Sequence, residues 1–131
     1  MQALYIEATD SSPKVQLDHS KYIFELSGDT RPENAREFYL PIIAWMDEFR
    51  DLQLQKPDKS HELVFKLDLE YMNSISIKFV FEILKRVEAI KLGGGNARIE
   101  WHFNSRDEDV KANGEEFASL LQVPLQLIPK P

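Results

Sequence analysis

Leu63, Phe65, Leu67, Leu69 and Tyr71 alternate with Val64, Lys66, Asp68 and Glu70, the clearest period-two run in the chain. That period predicts a half-buried strand with one apolar face and one largely charged face, in a sheet covered on one side only. Ala97, Ile99, Trp101 and Phe103 repeat the pattern against Arg98, Glu100 and His102. Between the two runs the period changes. Ile77, Val80, Phe81, Leu84 and Val87 fall at helical spacing, and Gly93-Gly94-Gly95 follows where a helix would end. Upstream, Leu4-Tyr5-Ile6, the Val15/Leu17 pair and the series Tyr22, Phe24, Leu26 predict short strands. Asp18-His19-Ser20 reads as a hairpin turn, and Ser27-Gly28-Asp29 as the end of the third strand. Phe38, Ile42, Trp45, Met46 and Phe49 then give a helix, with Thr30 as its N-cap and Pro32 and Glu33 in its first turn. Pro41 is expected to bend or restart that helix, because proline removes a backbone donor. Residues 51–60 are polar, contain Pro57 and read as a loop. Val110, Phe117, Ala118 and Leu121 mark a helix over 107–121. Val123, Leu125 and Leu127 mark a short strand whose flanking Pro124 and Pro129 place it at a sheet edge.

Strands followed by alternating helices and strands predict an α/β fold. The expected form is one domain over residues 1–131, with a mixed β-sheet and helices mainly on one face. Composition narrows the function. The chain has 22 Asp and Glu against 16 Lys and Arg, a net charge of -6 and no basic cluster, so nucleic acid and anionic membranes are not expected partners. The absence of cysteine removes disulfides, thiol catalysis and thiolate metal sites. No apolar run approaches the roughly 20 residues of a membrane span, and the N-terminus lacks the basic start of a signal peptide. A cytoplasmic protein with no cofactor and no metal is expected.

Few residues offer chemistry. His19, His61 and His102 show no metal-ligand spacing. Asp68 and Glu70 share a strand face with Glu100 and His102 as neighbours, an arrangement open to acid–base work in a closed pocket and inert on a solvated sheet. Gly93-Gly94-Gly95 leaves a helix and enters a strand, the reverse of a phosphate-binding loop. Trp45 and Trp101 lie on apolar faces and read as core. The turn from Tyr71 to Lys78 is different. It joins a strand to a helix start, where backbone N–H groups are unpaired and the helix dipole is positive. Asn73 or Ser74 suits the N-cap. A hydroxyl there can also carry a phosphate, which adds about -1.5 to -2 charges in one step. Read alone, the turn is first of all a capped helix start.

The stretch Leu67-Asp68-Leu69-Glu70-Tyr71-Met72-Asn73-Ser74-Ile75-Ser76-Ile77-Lys78 resembles the central motif of the SiaC family of bacterial regulatory phosphoproteins. Leu4 to Thr9, Ser27 to Asn34, Phe38 to Met46, Arg98 to Phe103 and Glu115-Glu116-Phe117 extend the likeness along the chain. The resemblance implies a STAS-like domain of the anti-sigma-factor-antagonist type that is not an enzyme. It implies reversible phosphorylation by a Ser/Thr protein kinase and a PP2C-type phosphatase. The unmodified form is expected to bind and activate a diguanylate cyclase, raising cyclic di-GMP and favouring biofilm growth. The family's acceptor is usually a threonine directly after the motif's asparagine. Here that position is Ser74, with Ser76 as its rival, and position 75 is Ile where a small hydroxylated residue is common. Tyr71, Asn73, Ser74, Ser76 and Lys78 are the expected partner-binding residues. Alternative functions are an anti-sigma-factor antagonist acting on transcription, and a small enzyme using Asp68, Glu70 and His102.

Overall fold

The computed structural model describes residues 1–131. Strands β1 (Leu4–Ile6), β2 (Lys14–Asp18) and β3 (Ile23–Asp29) precede helix α1 (Ala35–Gln55). Strand β4 (Leu63–Glu70), helix α2 (Ser74–Leu92), strand β5 (Ala97–Asn104), helix α3 (Glu108–Leu120) and strand β6 (Leu125–Lys130) follow. One six-stranded sheet takes the strands in chain order, β1 to β6. The first three pair antiparallel and the last four parallel, so the sheet is mixed.

Every parallel crossover steps one strand in the same direction. Right-handed crossovers therefore put all three helices on one face. On that face Phe24, Leu26, Phe65, Leu67, Ile99 and Trp101 join the buried sides of the helices in a single core. The other face stays open: Glu25, Lys66 and Glu100 align across neighbouring strands, as do Ser27, Asp68 and His102. Trp45 and Trp101 are both core residues, and Trp101 donates its indole N–H to the Val110 carbonyl at 3.0 Å.

The first helix departs from expectation at both ends. Its N-cap is Asn34, not Thr30, and Pro32 and Glu33 precede the helix. Two overlapping signals compete here, Thr30 three residues before Glu33 and Asn34 three residues before Glu37. The second forms the reciprocal cap: Asn34 Oδ1 accepts from Glu37 N at 3.1 Å, and Asn34 Nδ2 donates to Glu37 Oε2 at 3.3 Å. Thr30 instead points inward and meets Tyr39. The helix is one segment through Pro41, and it continues over residues 51–55 that read as loop. Gln53 anchors that last stretch by burying its side chain and accepting from Asp58 N at 3.2 Å. Strand β3 runs on through Gly28, which takes φ 118 while keeping register with Leu69. Residue Val123 is core but precedes β6, which is an edge strand as its prolines predict.

Gly114 marks a close approach of α3 to the sheet. A Cβ built there would lie 2.5 Å from Trp101 Cδ1 and 2.7 Å from Leu127 Cδ2. In an open helix, Gly→Ala gains about 1 kcal/mol. Here overpacking reverses the sign, and Gly114→Ala is expected to cost about 1–3 kcal/mol. Urea denaturation measures this, and an unchanged or raised midpoint would show that the indole yields.

Candidate functional site

The β4–α2 turn lies at the carboxyl end of the parallel strands. Tyr71 leaves β4 with φ 49, a left-handed conformation that non-glycine residues rarely adopt. The residue is 61% exposed. Asn73 caps α2, its side-chain oxygen accepting from Ser76 N at 2.8 Å, so of the two N-cap candidates asparagine takes the role. Ser74 becomes the first helical residue and stands exposed. The first turn of α2 holds no acidic residue, whereas α1 has Glu37 and α3 has Glu108 and Asp109 in theirs. The positive end of the central helix dipole is thus left without a carboxylate of its own.

The two serines part company completely. Ser76 is fully buried and its Oγ makes no hydrogen bond. It lies toward the hydroxyl of Tyr39, which is taken by Thr30 Oγ1 at 2.5 Å. A modifying enzyme cannot reach Ser76 in the folded protein, nor can a docking partner. Tyr71, Asn73, Ser74 and Lys78 are all exposed. Ile75, off the apolar stripe of its helix, adds an aliphatic side chain at 56% exposure. Its position on the polar side of the helical pattern was the available signal for a surface role. Arg31 was not legible as part of this region. It arrives from the β3–α1 connection and stacks over Tyr71, and only the fold brings the two together.

Burial pushes the Tyr39 phenol up from 10.0 to about 12, against a smaller opposing effect of its hydroxyl neighbours. Up to about pH 9 both folded and unfolded forms are protonated, and the group leaves stability unchanged with pH. Above that the unfolded chain loses its proton first, so stability falls by about 2–3 kcal/mol as pH rises through 10 to 12. Urea midpoints at about pH 9 and about pH 11 should drop more in wild type than in Tyr39→Phe. Equal drops would show that the folded phenol ionises normally.

On the polar sheet face Asp68, Glu100 and His102 are held in ion pairs. Lys130 Nζ binds Asp68 at 2.5 Å, while Glu100 receives Arg98 at 2.7 Å and His102 Nε2 at 3.0 Å. Those contacts, His102 foremost, hold the Glu100 carboxyl below its ordinary value. Glu70 stands apart at the end of β4, where it lines a hollow of ≈ 680 Å³ with Tyr71, Met72, Arg106 and Asp107. No three His, Asp or Glu side chains converge as metal ligands, and no helix is long and apolar enough to cross a membrane.

The fold is a small α/β domain, with an exposed turn at the head of its central helix. The sequence model of the SiaC family regulatory phosphoproteins matches residues 6–130, and the chain belongs to that family. The fold is similar to that of apo-SiaC from Pseudomonas aeruginosa, with a TM-score of 0.83 and 30% identity over 98% of this chain and 99% of that one. It is equally similar to SiaC in a complex with the diguanylate cyclase SiaD, for which SiaC is described as the activator. There the TM-score is 0.83 and identity 31%, over 97% of this chain and 99% of that one. An uncharacterized protein of Pseudomonas aeruginosa strain UCBPP-PA14 is 33% identical over 117 residues, which is 89% of this chain and 88% of the relative.

Proposed function

We propose that this chain is a non-enzymatic docking switch of the cytoplasm that binds and activates a diguanylate cyclase while Ser74 is unmodified. A Ser/Thr kinase turns it off by phosphorylating Ser74, and a PP2C-type phosphatase restores it. The output is cyclic di-GMP and, through it, biofilm growth. The observation that carries the reading is the likeness, near-complete in coverage, to a SiaC bound to the cyclase that it activates. The exposure of Ser74 against the burial of Ser76 supports Ser74 as the acceptor. Tyr71, Asn73, Ser74 and Lys78 would meet the partner. A phosphate there adds charge and bound water to a surface that must be desolvated for docking.

The test has two arms. Mass spectrometry of protein purified from its own cells should place phosphate on Ser74. Purified unphosphorylated protein should raise the rate of cyclic di-GMP synthesis by its cognate cyclase. Phosphate mapped to another residue sinks the site, and a cyclase that ignores the protein sinks the effector.

A further inference from the structure

Arg31 holds an unusual position beside the Ser74 turn. Its guanidinium donates to both carboxylate oxygens of Asp29, at 2.9 and 2.6 Å, and lies over the Tyr71 ring with Cζ 4.7 Å from the centroid. The side chain remains 54% exposed, so it is held without being enclosed. The backbone next to it is fixed against the turn. Thr30 N donates to the Glu70 carbonyl at 3.0 Å, and Asn73 N donates to the Thr30 carbonyl at 3.4 Å. Arg31 therefore directly follows a residue whose carbonyl bonds the N-cap of α2, and Ser74 directly follows that N-cap.

Other charged groups surround the turn. Glu70 is exposed beside Tyr71, and Glu33, Arg36 and Glu37 lie at the start of α1 next to Ile75. Lys78 is one turn along α2, where the ion pairs of that helix use Glu82, Lys85 and Arg86 instead. Arg36 and Arg106 also line hollows at the turn, but Arg31 is the cation stacked on a turn residue, and its guanidinium can offer two parallel N–H donors. An exposed Arg–Asp pair contributes little to stability. A phosphate monoester brings up to two charges and three acceptor oxygens, and the planar guanidinium fork matches it in bidentate geometry.

We propose that Arg31 is the protein's own receptor for a phosphate on Ser74, and that its transfer from Asp29 and Tyr71 to that phosphate reshapes the docking surface. The inference rests on the reading of Ser74 as the acceptor. Its consequence is conformational. Tyr71 sits in a left-handed backbone well that its surroundings must over-determine. Removing the stacked guanidinium takes away one of those restraints, so the exposed ring no longer presents the same contact to a partner.

The experiment uses the full chain with phosphoserine installed at position 74 during synthesis, which makes it independent of any kinase. The phosphate is titrated by phosphorus NMR through its second ionisation, near pH 6 in a free phosphoserine. In the wild-type sequence it should be about threefold to tenfold more acidic than in Arg31→Gln, and the Arg31 Nε–H resonance should move on phosphorylation. Identical titrations in the two proteins, or an unmoved Arg31 resonance, overturn the proposal. A shift removed by Lys78→Gln and untouched by Arg31→Gln assigns the phosphate to the lysine and overturns it as well. Arg31→Lys keeps the charge, serves if the glutamine variant does not fold, and should recover only part of the shift. Failure of the Ser74 reading would be seen separately, as native phosphate on another residue, with the installed phosphoserine still reporting on Arg31.

Discussion

Alanine at position 74 is expected to reduce kinase-dependent phosphate incorporation to background while leaving fold, thermal midpoint and cyclase binding as in wild type. Ser74 is exposed, follows the cap rather than forming it, and makes no side-chain hydrogen bond that alanine would break. Alanine is also the best helix former. Phosphoserine at the same position should weaken binding to the cognate cyclase by about 5–150-fold, the usual range of a regulatory coupling. Ser74→Asp should weaken it less, since one carboxylate has fewer charges and fewer oxygens. Radiolabel incorporation and titration calorimetry provide the measurements. Wild-type phosphate levels in Ser74→Ala would refute the assignment, and full phosphate levels in Ser76→Ala are the expected control.

Trp101→Ala should have the largest effect on stability, a loss of about 3–5 kcal/mol. The indole is 1% exposed, packs edge-on against Phe117 at 5.4 Å and closes over Gly114. Truncation leaves a cavity where α3 meets β5 and removes the indole N–H bond to the Val110 carbonyl. A loss of that size is a large share of the total stability of a domain this small. Chemical denaturation monitored by circular dichroism would show it, and a loss below about 1 kcal/mol would mean that α3 collapses into the gap.

The two central strands were legible because a sheet covered on one face writes its geometry into alternate residues. Leu63 to Leu69 and Ala97 to Phe103 bury every second side chain. Tyr71 was not separable from that series: it extends the alternation by one residue, yet its backbone turns left-handed and leaves the strand. Helix boundaries were harder. Thr30 and Asn34 are both good caps, and the choice falls to tertiary structure, which draws the threonine hydroxyl onto Tyr39. The end of α1 was hidden because residues 51–55 are mostly polar, and only Gln53 is buried there.

The candidate site was legible in outline. The Tyr71–Lys78 turn follows from a change of period, and the choice of Asn73 as cap needed only local geometry. The contrast between Ser74 and Ser76 did not. Ser76 takes a place in the buried stripe that the apolar pattern assigns to Ile77, which is half-buried beside it. A serine in an apolar row has no hydropathy signal. The Arg31–Tyr71 stack joins residues 40 positions apart and exists only because β3 and β4 are neighbours.

The unbroken strand sequence bears on how the molecule assembles. Each strand hydrogen-bonds to the one synthesised immediately before it, and no late segment has to insert between earlier ones. The sheet can therefore lengthen one strand at a time as the polypeptide emerges from the ribosome, every newcomer finding its template already in place. Loop closures stay short for a partly parallel topology, which favours rapid folding and limits the time an unpaired edge is open to aggregation.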